Sequence, residues 1–179
     1  EGYGPHVNAA STLQKIFTEA TGATLGRTTE AAANFNENAK YISLGDTTAL
    51  EQAGIVVDYE LIGSQGYQII TKGQSIFICG EQDGVRYGVY DLLNRLFDYE
   101  VYTTTRYNIN KMTDVKLPIF DITEVPDIEY RLSINGELSQ YTTEVNEVRR
   151  ALRVHNMGDV IAEGGSAHNM LLTIVPYKE

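Results

Sequence analysis

Cysteine is nearly absent from this chain. Cys79 is the single one among 179 residues, so no disulfide can close within it. It follows Ile76-Phe77-Ile78, where a lone thiol reads as a small buried side chain rather than a nucleophile. Basic residues are also scarce, 14 Lys and Arg against 24 Asp and Glu, for a net charge of -10. That balance opposes nucleic acid and anionic membrane surfaces as partners. No apolar run approaches the roughly 18 residues of a spanning helix, and the N-terminus has no basic-then-apolar leader pattern. Histidines at 6, 155 and 168 and the single cysteine show none of the close spacings that preorganise a metal site. No metal and no cofactor is therefore expected.

What remains is a globular composition, 42% hydrophobic, sufficient for one full domain or one domain and a piece. Its most informative stretch is Gly80-Glu81-Gln82-Asp83-Gly84-Val85-Arg86-Tyr87-Gly88-Val89-Tyr90-Asp91-Leu92-Leu93. Val85, Val89, Leu92, Leu93 and Leu96 make one apolar helical stripe, with Asp83 placed to cap the first turn. Upstream, Leu13, Ile16, Phe17 and Ala20 predict a helix over 7–21, stopped by Gly22. Residues 40–44 read as a strand, and Asp46 followed by Ala49, Leu50 and Ala53 as a short capped helix before Gly54.

Gly66 to Thr71 and Gln74 to Cys79 predict two strands of a hairpin joined around Lys72-Gly73. Their continuous apolar runs imply a sheet covered on both faces, with helices 7–21 and 84–97 as the covers. Residues 103–118 read as a polar linker region that continues to Pro126, with Pro118 and Pro126 bracketing Ile119, Phe120 and Ile122. Beyond it, a strand over 128–134, a helix over 143–155 and a strand over 171–175 give a βαβ order.

Tyr41-Ile42-Ser43-Leu44-Gly45, Gly66-Tyr67-Gln68-Ile69-Ile70, Ser75-Ile76-Phe77-Ile78-Cys79-Gly80 and the helix start at Gly84 carry a resemblance across about residues 7 to 125. Together they resemble the small α/β domain that precedes the catalytic barrel in glycoside hydrolases of the hexosaminidase and α-glucuronidase types and their bacterial relatives. A thinner likeness continues through Pro126-Asp127-Ile128-Glu129-Tyr130-Arg131, where the barrel's first strand would begin. The resemblance implies an α/β (α+β) fold: residues 1–125 as an accessory sheet with helices on it, like the second domain of hexosaminidases. Residues 126–179 would be a truncated opening βα segment of a (β/α)8 barrel. A closed barrel needs about 250 residues, so this chain is not expected to hold one. In the domains it resembles, a strand precedes the first helix; here only Glu1 to Pro5 precede His6, so that strand is expected to be shortened or missing.

Glycoside hydrolysis uses two carboxyl groups about 5 to 10 Å apart. The hexosaminidase group carries an adjacent Asp-Glu pair late in its barrel, and no Asp-Glu dipeptide occurs here. Glu129, Glu137 and Glu163 near expected strand ends read as solvated acids, so no catalytic residue is assigned. The substrate-binding candidates are His168 and Asn169, just before Met170-Leu171-Leu172, and Arg131, whose guanidinium can fork onto a carboxylate or sugar hydroxyls. His155 at a helix end and His6 are weaker. Gly80-Glu81-Gln82-Asp83-Gly84 follows a strand and opens a helix, as a phosphate loop does. It lacks the Gly-x-Gly-x-x-Gly order and the Lys-Ser/Thr pair, and Glu81 and Asp83 would repel phosphate.

The expected function is a non-catalytic accessory domain of a hydrolase acting on polysaccharide, secreted, periplasmic or at the cell surface, with carbohydrate as partner. A carbohydrate-binding module is the alternative, resting on the cluster of Tyr87, Tyr90, Tyr99, Tyr102 and Tyr107, although tryptophan is missing. A structural or interaction domain that binds no sugar is the third.

Overall fold

The computed structural model describes residues 5–29, 35–128, 131, 138, 140 and 142–155. The chain divides into two compact units, Glu1–Val101 with Arg106–Asp127 and Tyr102–Thr105 with Ile128–Glu179.

In the first unit, α1 (Pro5–Thr21) buries Leu13, Ile16 and Ala20 of the stripe visible in the sequence together with Ala9, leaves Phe17 part-buried, and ends at Gly22 in the left-handed region. β1 (Ile42–Leu44) and α2 (Thr48–Gln52) follow. The cap of α2 is Thr47 rather than Asp46, its hydroxyl accepting from Leu50 N at 3.2 Å. Threonine holds the extended backbone that precedes the first turn, and Asp46 lies one residue too early. A one-turn helix, α3 (Tyr59–Ile62), is capped by Asp58.

β2 (Tyr67–Lys72) and β3 (Ser75–Gly80) form the expected hairpin, with Lys72 opposite Ser75 and Gly73-Gln74 at the turn. Gly73 has φ +58, and a Cβ there would stand 2.7 Å from the Glu37 carbonyl oxygen. The sheet order is β1-β3-β2-β6, with β1 parallel to β3 and the other pairs antiparallel.

The linker expected across the 103–126 region is corrected at two places. β4 (Glu100–Val101) pairs with β5 (Tyr107–Asn108), after which Ile109, Met112 and Val115 pack on the main core. Met112 N donates to Ala20 O at 2.9 Å and Asn110 N to Phe97 O at 2.7 Å, which straps this segment across the ends of α1 and α4. Asp121–Glu124 then forms β6, setting Ile122 opposite Ile69. Pro118 and Pro126 lie outside the strand, where the missing N–H leaves no gap in the ladder.

The cover of the sheet is also corrected. α4 (Gln82–Phe97) lies on β2 and β3, but α1 packs beside it on the same face, over Ile69, Ile76 and Ile78. The opposite face, with Phe77 and Cys79, is covered by Ala49, Leu50 and Ala53 of the α2 region together with Phe35, Tyr41, Ile55 and Val57. All six residues of β3 are consequently buried.

Glycines bring α4 onto the sheet. A Cβ on Gly84 would collide with the carbonyl oxygen of Gly66, and one on Gly88 would stand 2.5 Å from Ile78 Cγ2 and 3.2 Å from the Tyr67 ring. The Gly-rich stretch singled out in the sequence is therefore a close-packing face. Its cap is Glu81, which makes no side-chain cap bond, and not Asp83, which sits in the first turn and pairs with Arg86 at 2.8 Å. Among the described residues no strand precedes α1, and residues 1–4 lie outside them.

In the second unit, α5 (Thr143–Ala151) is capped by Thr142 and buries Val145, Val148 and Arg149. It stops four residues short of the expected His155, because Arg153 takes φ 55 and turns the chain out of the helix. The Arg149 guanidinium donates to the Leu138 and Gln140 carbonyls and to Asn146 Oδ1, fixing the approach to the helix. The strand expected over 128–134 falls outside the described residues apart from Ile128 and Arg131, neither of which is in a strand. The strand expected over 171–175 falls wholly outside them.

Candidate functional site

Arg131 donates from Nε to Arg153 O at 2.7 Å and from Nη1 to Ile128 O at 2.6 Å. Its backbone N–H faces His155 Nδ1 at 3.2 Å, and its carbonyl accepts from His155 N at 2.7 Å. The guanidinium thus ties two backbone segments together, with His155 beyond the end of α5 rather than on it. His168 and Asn169, the other two expected binding residues, and Glu129, Glu137 and Glu163 lie outside the described residues.

The tyrosine cluster is interior only in part, with Tyr107 exposed at its outer end. Tyr87 and Tyr90 are buried, and Tyr90 stacks on Tyr99 with ring centroids 6.4 Å apart. Tyr107 meets Tyr99 edge-on at 5.7 Å and donates its hydroxyl to Glu19 Oε1 at 2.8 Å. These rings close the edge of the core and link β5 to α1. Tyr102, in the second unit, is exposed.

The described residues place polar chemistry at another location, the carboxyl ends of β1 and β3. Each strand ends in an apolar residue, a glycine and an acid: Leu44-Gly45-Asp46 and Cys79-Gly80-Glu81. Gly45 N donates to Ile78 O at 2.8 Å, holding the two ends level. Ser43 Oγ and Thr47 Oγ1 share a hydrogen bond of 2.7 Å just behind. Tyr59, at the start of α3, has a hydroxyl sealed from solvent with no hydrogen-bond partner among the described residues. Burial first, then the charges of Asp46, Cys79 and Glu81, push its phenol up to about 12, so it stays protonated. The repeated strand-end triplet is the signal by which the sequence could have revealed this site. Tyr59 left no such signal, because α3 is too short to show a period.

Cys79 lies beside this site but is unsuited to attack. Burial, then the Asp46 charge, push its thiol up to about 12 from 9.0. Below about pH 9 the folded and unfolded chains both keep this proton, and its ionisation leaves stability untouched. Above it the unfolded chain ionises first, so stability should fall between pH 9 and 12, by at most about 1.4 kcal/mol per pH unit. Urea midpoints at pH 8 and 10.5 test this, with Cys79→Ala expected to flatten the decline. Iodoacetamide should label Cys79 only after denaturation; stoichiometric labelling of the native chain would contradict the burial.

A second surface feature is an open groove of about 580 Å³ along Arg95, Pro118, Ile119, Phe120, Asp121 and Ile122. Among the described residues no group of three or more His, Cys, Asp or Glu is arranged to hold a metal ion. Among them, too, no helix is long and apolar enough to cross a membrane.

No family model matches this sequence, and no curated protein matches it. A solved structure does. The fold recurs in a glycoside hydrolase. That protein is described as a family GH115 4-O-methyl-α-glucuronidase with specificity for decorated arabinogalactans, and its structure superposes with a TM-score of 0.52 at 21% identity. The match covers 72% of this chain and 17% of the glucuronidase, so the chain spans about one sixth of that protein's length. At this identity the likeness is one of fold: a small mixed α/β sheet with helices.

Proposed function

We propose that residues 1–125 are a non-catalytic accessory domain of a glycoside hydrolase acting on a polysaccharide or glycan, and that residues 126–179 open its catalytic barrel. The supporting observation is the fold shared with a region of an α-glucuronidase, where the matched part is 17% of a much larger enzyme. No adjacent Asp-Glu pair is present in these residues, and in this reading the catalytic acids belong to the barrel and not to the accessory domain. In this reading the domain supports the barrel, and its close-packed α4 gives that support rigidity. Secretion or a periplasmic location belongs to the same reading, since polysaccharide is met outside the cytoplasm.

The carbohydrate-binding-module alternative keeps only part of its platform, because Tyr87 and Tyr90 are buried while Tyr102 and Tyr107 are exposed. The test compares the 179-residue chain with a longer one, extended past Glu179 to include a complete barrel, on aryl N-acetylhexosaminides and aryl uronides. Release of the aryl group only by the longer chain supports the proposal.

A further inference from the structure

β6 stands at one end of the sheet order β1-β3-β2-β6, and its neighbour among the described residues is β2 alone. The register decides which of its groups face outward. Thr71 N donates to Phe120 O at 2.9 Å, and Phe120 N donates to Thr71 Oγ1 at 2.9 Å. Ile122 stands opposite Ile69 and Glu124 opposite Tyr67. In an antiparallel pair alternate residues exchange both backbone bonds, so Phe120, Ile122 and Glu124 turn theirs toward β2. The N–H and C=O groups of Asp121 and Thr123 point the other way, along an open strand edge.

The groove of about 580 Å³ runs beside this edge, lined by Arg95 of α4 and by Pro118, Ile119, Phe120, Asp121 and Ile122. Phe120 and Ile122 belong to the sheet face that carries α4. Side chains alternate between faces along a strand, which puts Asp121 and Thr123 on the opposite face, where Gln68 Nε2 donates to Thr123 Oγ1 at 3.0 Å. A strand added to β6 would set one side chain on the groove face, beside Ile122, and the next on the face of Asp121. Ile119, 87% exposed just before the strand, extends the apolar surface.

Charge selects the occupant. Arg95 is held by Asp91 at 2.9 Å, whereas the exposed Asp121 carboxylate has no ion pair among the described residues. A net charge of -10 opposes a second copy of the chain at this edge. We propose that the open edge of β6 takes up an extended basic segment of a partner protein as an added strand, its apolar residues on the groove face alternating with lysine or arginine on the Asp121 face. Main-chain bonds supply affinity in this mode and alternate side chains supply selectivity. Asp121 blunts the edge against acidic strands and leaves it open to basic ones. Such docking goes beyond the accessory role and does not depend on glycan hydrolysis by a longer chain.

The test is fluorescence anisotropy of a labelled heptapeptide of alternating lysine and valine, titrated with the 179-residue chain beside its glutamate and valine counterpart. Saturable binding of the lysine peptide alone is expected, weakened about threefold by Asp121→Asn and at least tenfold by Thr123→Pro. Glu51→Gln, which removes an equal charge on α2 after the opposite edge strand, should leave it unchanged. Proline at 123 removes an N–H that β2 does not use, so the variant should keep the parent's circular dichroism. Should it fold poorly, hydrogen exchange of the parent decides: the bound peptide should slow the Asp121 and Thr123 amides at least tenfold. No saturable binding, equal binding of the glutamate peptide, undiminished binding by a folded Thr123→Pro variant, or binding that leaves those amides unprotected overturns the proposal. So does a dimer in sedimentation that Thr123→Pro separates, since the edge would then belong to a second copy.

Discussion

Gly84→Ala is expected to destabilise the first unit by more than about 3 kcal/mol, and to leave little folded protein. The reason is local and steric. The added methyl would collide with the Gly66 carbonyl oxygen, and that carbonyl belongs to a segment that cannot retreat. Gly66 itself donates to Ile62 O at 2.9 Å, and Tyr67 next to it opens β2. Relief therefore requires α4 to lift from the sheet, which would loosen Val85, Val89, Leu92 and Leu93 from Ile76 and Ile78 together. Gly26→Ala is the control: nothing stands within 4 Å of its Cβ position, and its change should stay within about 0.5 kcal/mol. Urea denaturation of the two variants reads the difference, and a Gly84→Ala cost comparable to that of Gly26→Ala would refute the close-packed helix.

Phe77→Ala should cost about 3 to 5 kcal/mol. Phe77 is fully buried, with edge contacts to Phe35 at 5.8 Å and Tyr41 at 6.2 Å, and it is the largest fully buried side chain of the cluster on the α2 face of the sheet. That core holds α2 to the sheet and with it the Asp46 end of the candidate site. A loss below about 1 kcal/mol by the same denaturation measurement would mean that this face is only loosely covered.

Much of this was legible in the sequence because it depends on period. The α1 and α4 stripes repeat at helical spacing over about two and three turns, and the hairpin joins two apolar runs across a glycine. What escaped notice lacked a period or depended on neighbours distant in the chain. β6 shows Asp121 and Thr123 outward and Ile122 inward over only four residues, as a sheet-edge strand does, so its polarity read as a linker. The pairing of α1 with α4 on one face follows from tertiary packing, since either helix could have covered either face. The cap errors at α2 and α4 share one cause: aspartate is a favoured cap, but the residue with extended backbone before the first turn is Thr47 in one case and Glu81 in the other.

The candidate site was less visible still. Asp46 and Glu81 are far apart in the chain and come to neighbouring strand ends only because β1 and β3 run parallel. Arg131 stood out by its charge, yet its position is explained by backbone carbonyls, as expected for a planar donor set beside two chain turns.

The most direct test of the proposed role is hydrolysis measured side by side for this 179-residue chain and for a chain extended past Glu179 to include a complete barrel, on aryl N-acetylhexosaminides and aryl uronides. The expected result is aryl release by the longer chain alone, which would place the chemistry outside these residues and leave them in the accessory role. Release by the 179-residue chain would contradict it, because a catalytic acid pair would then have to lie within a sequence that offers no persuasive one.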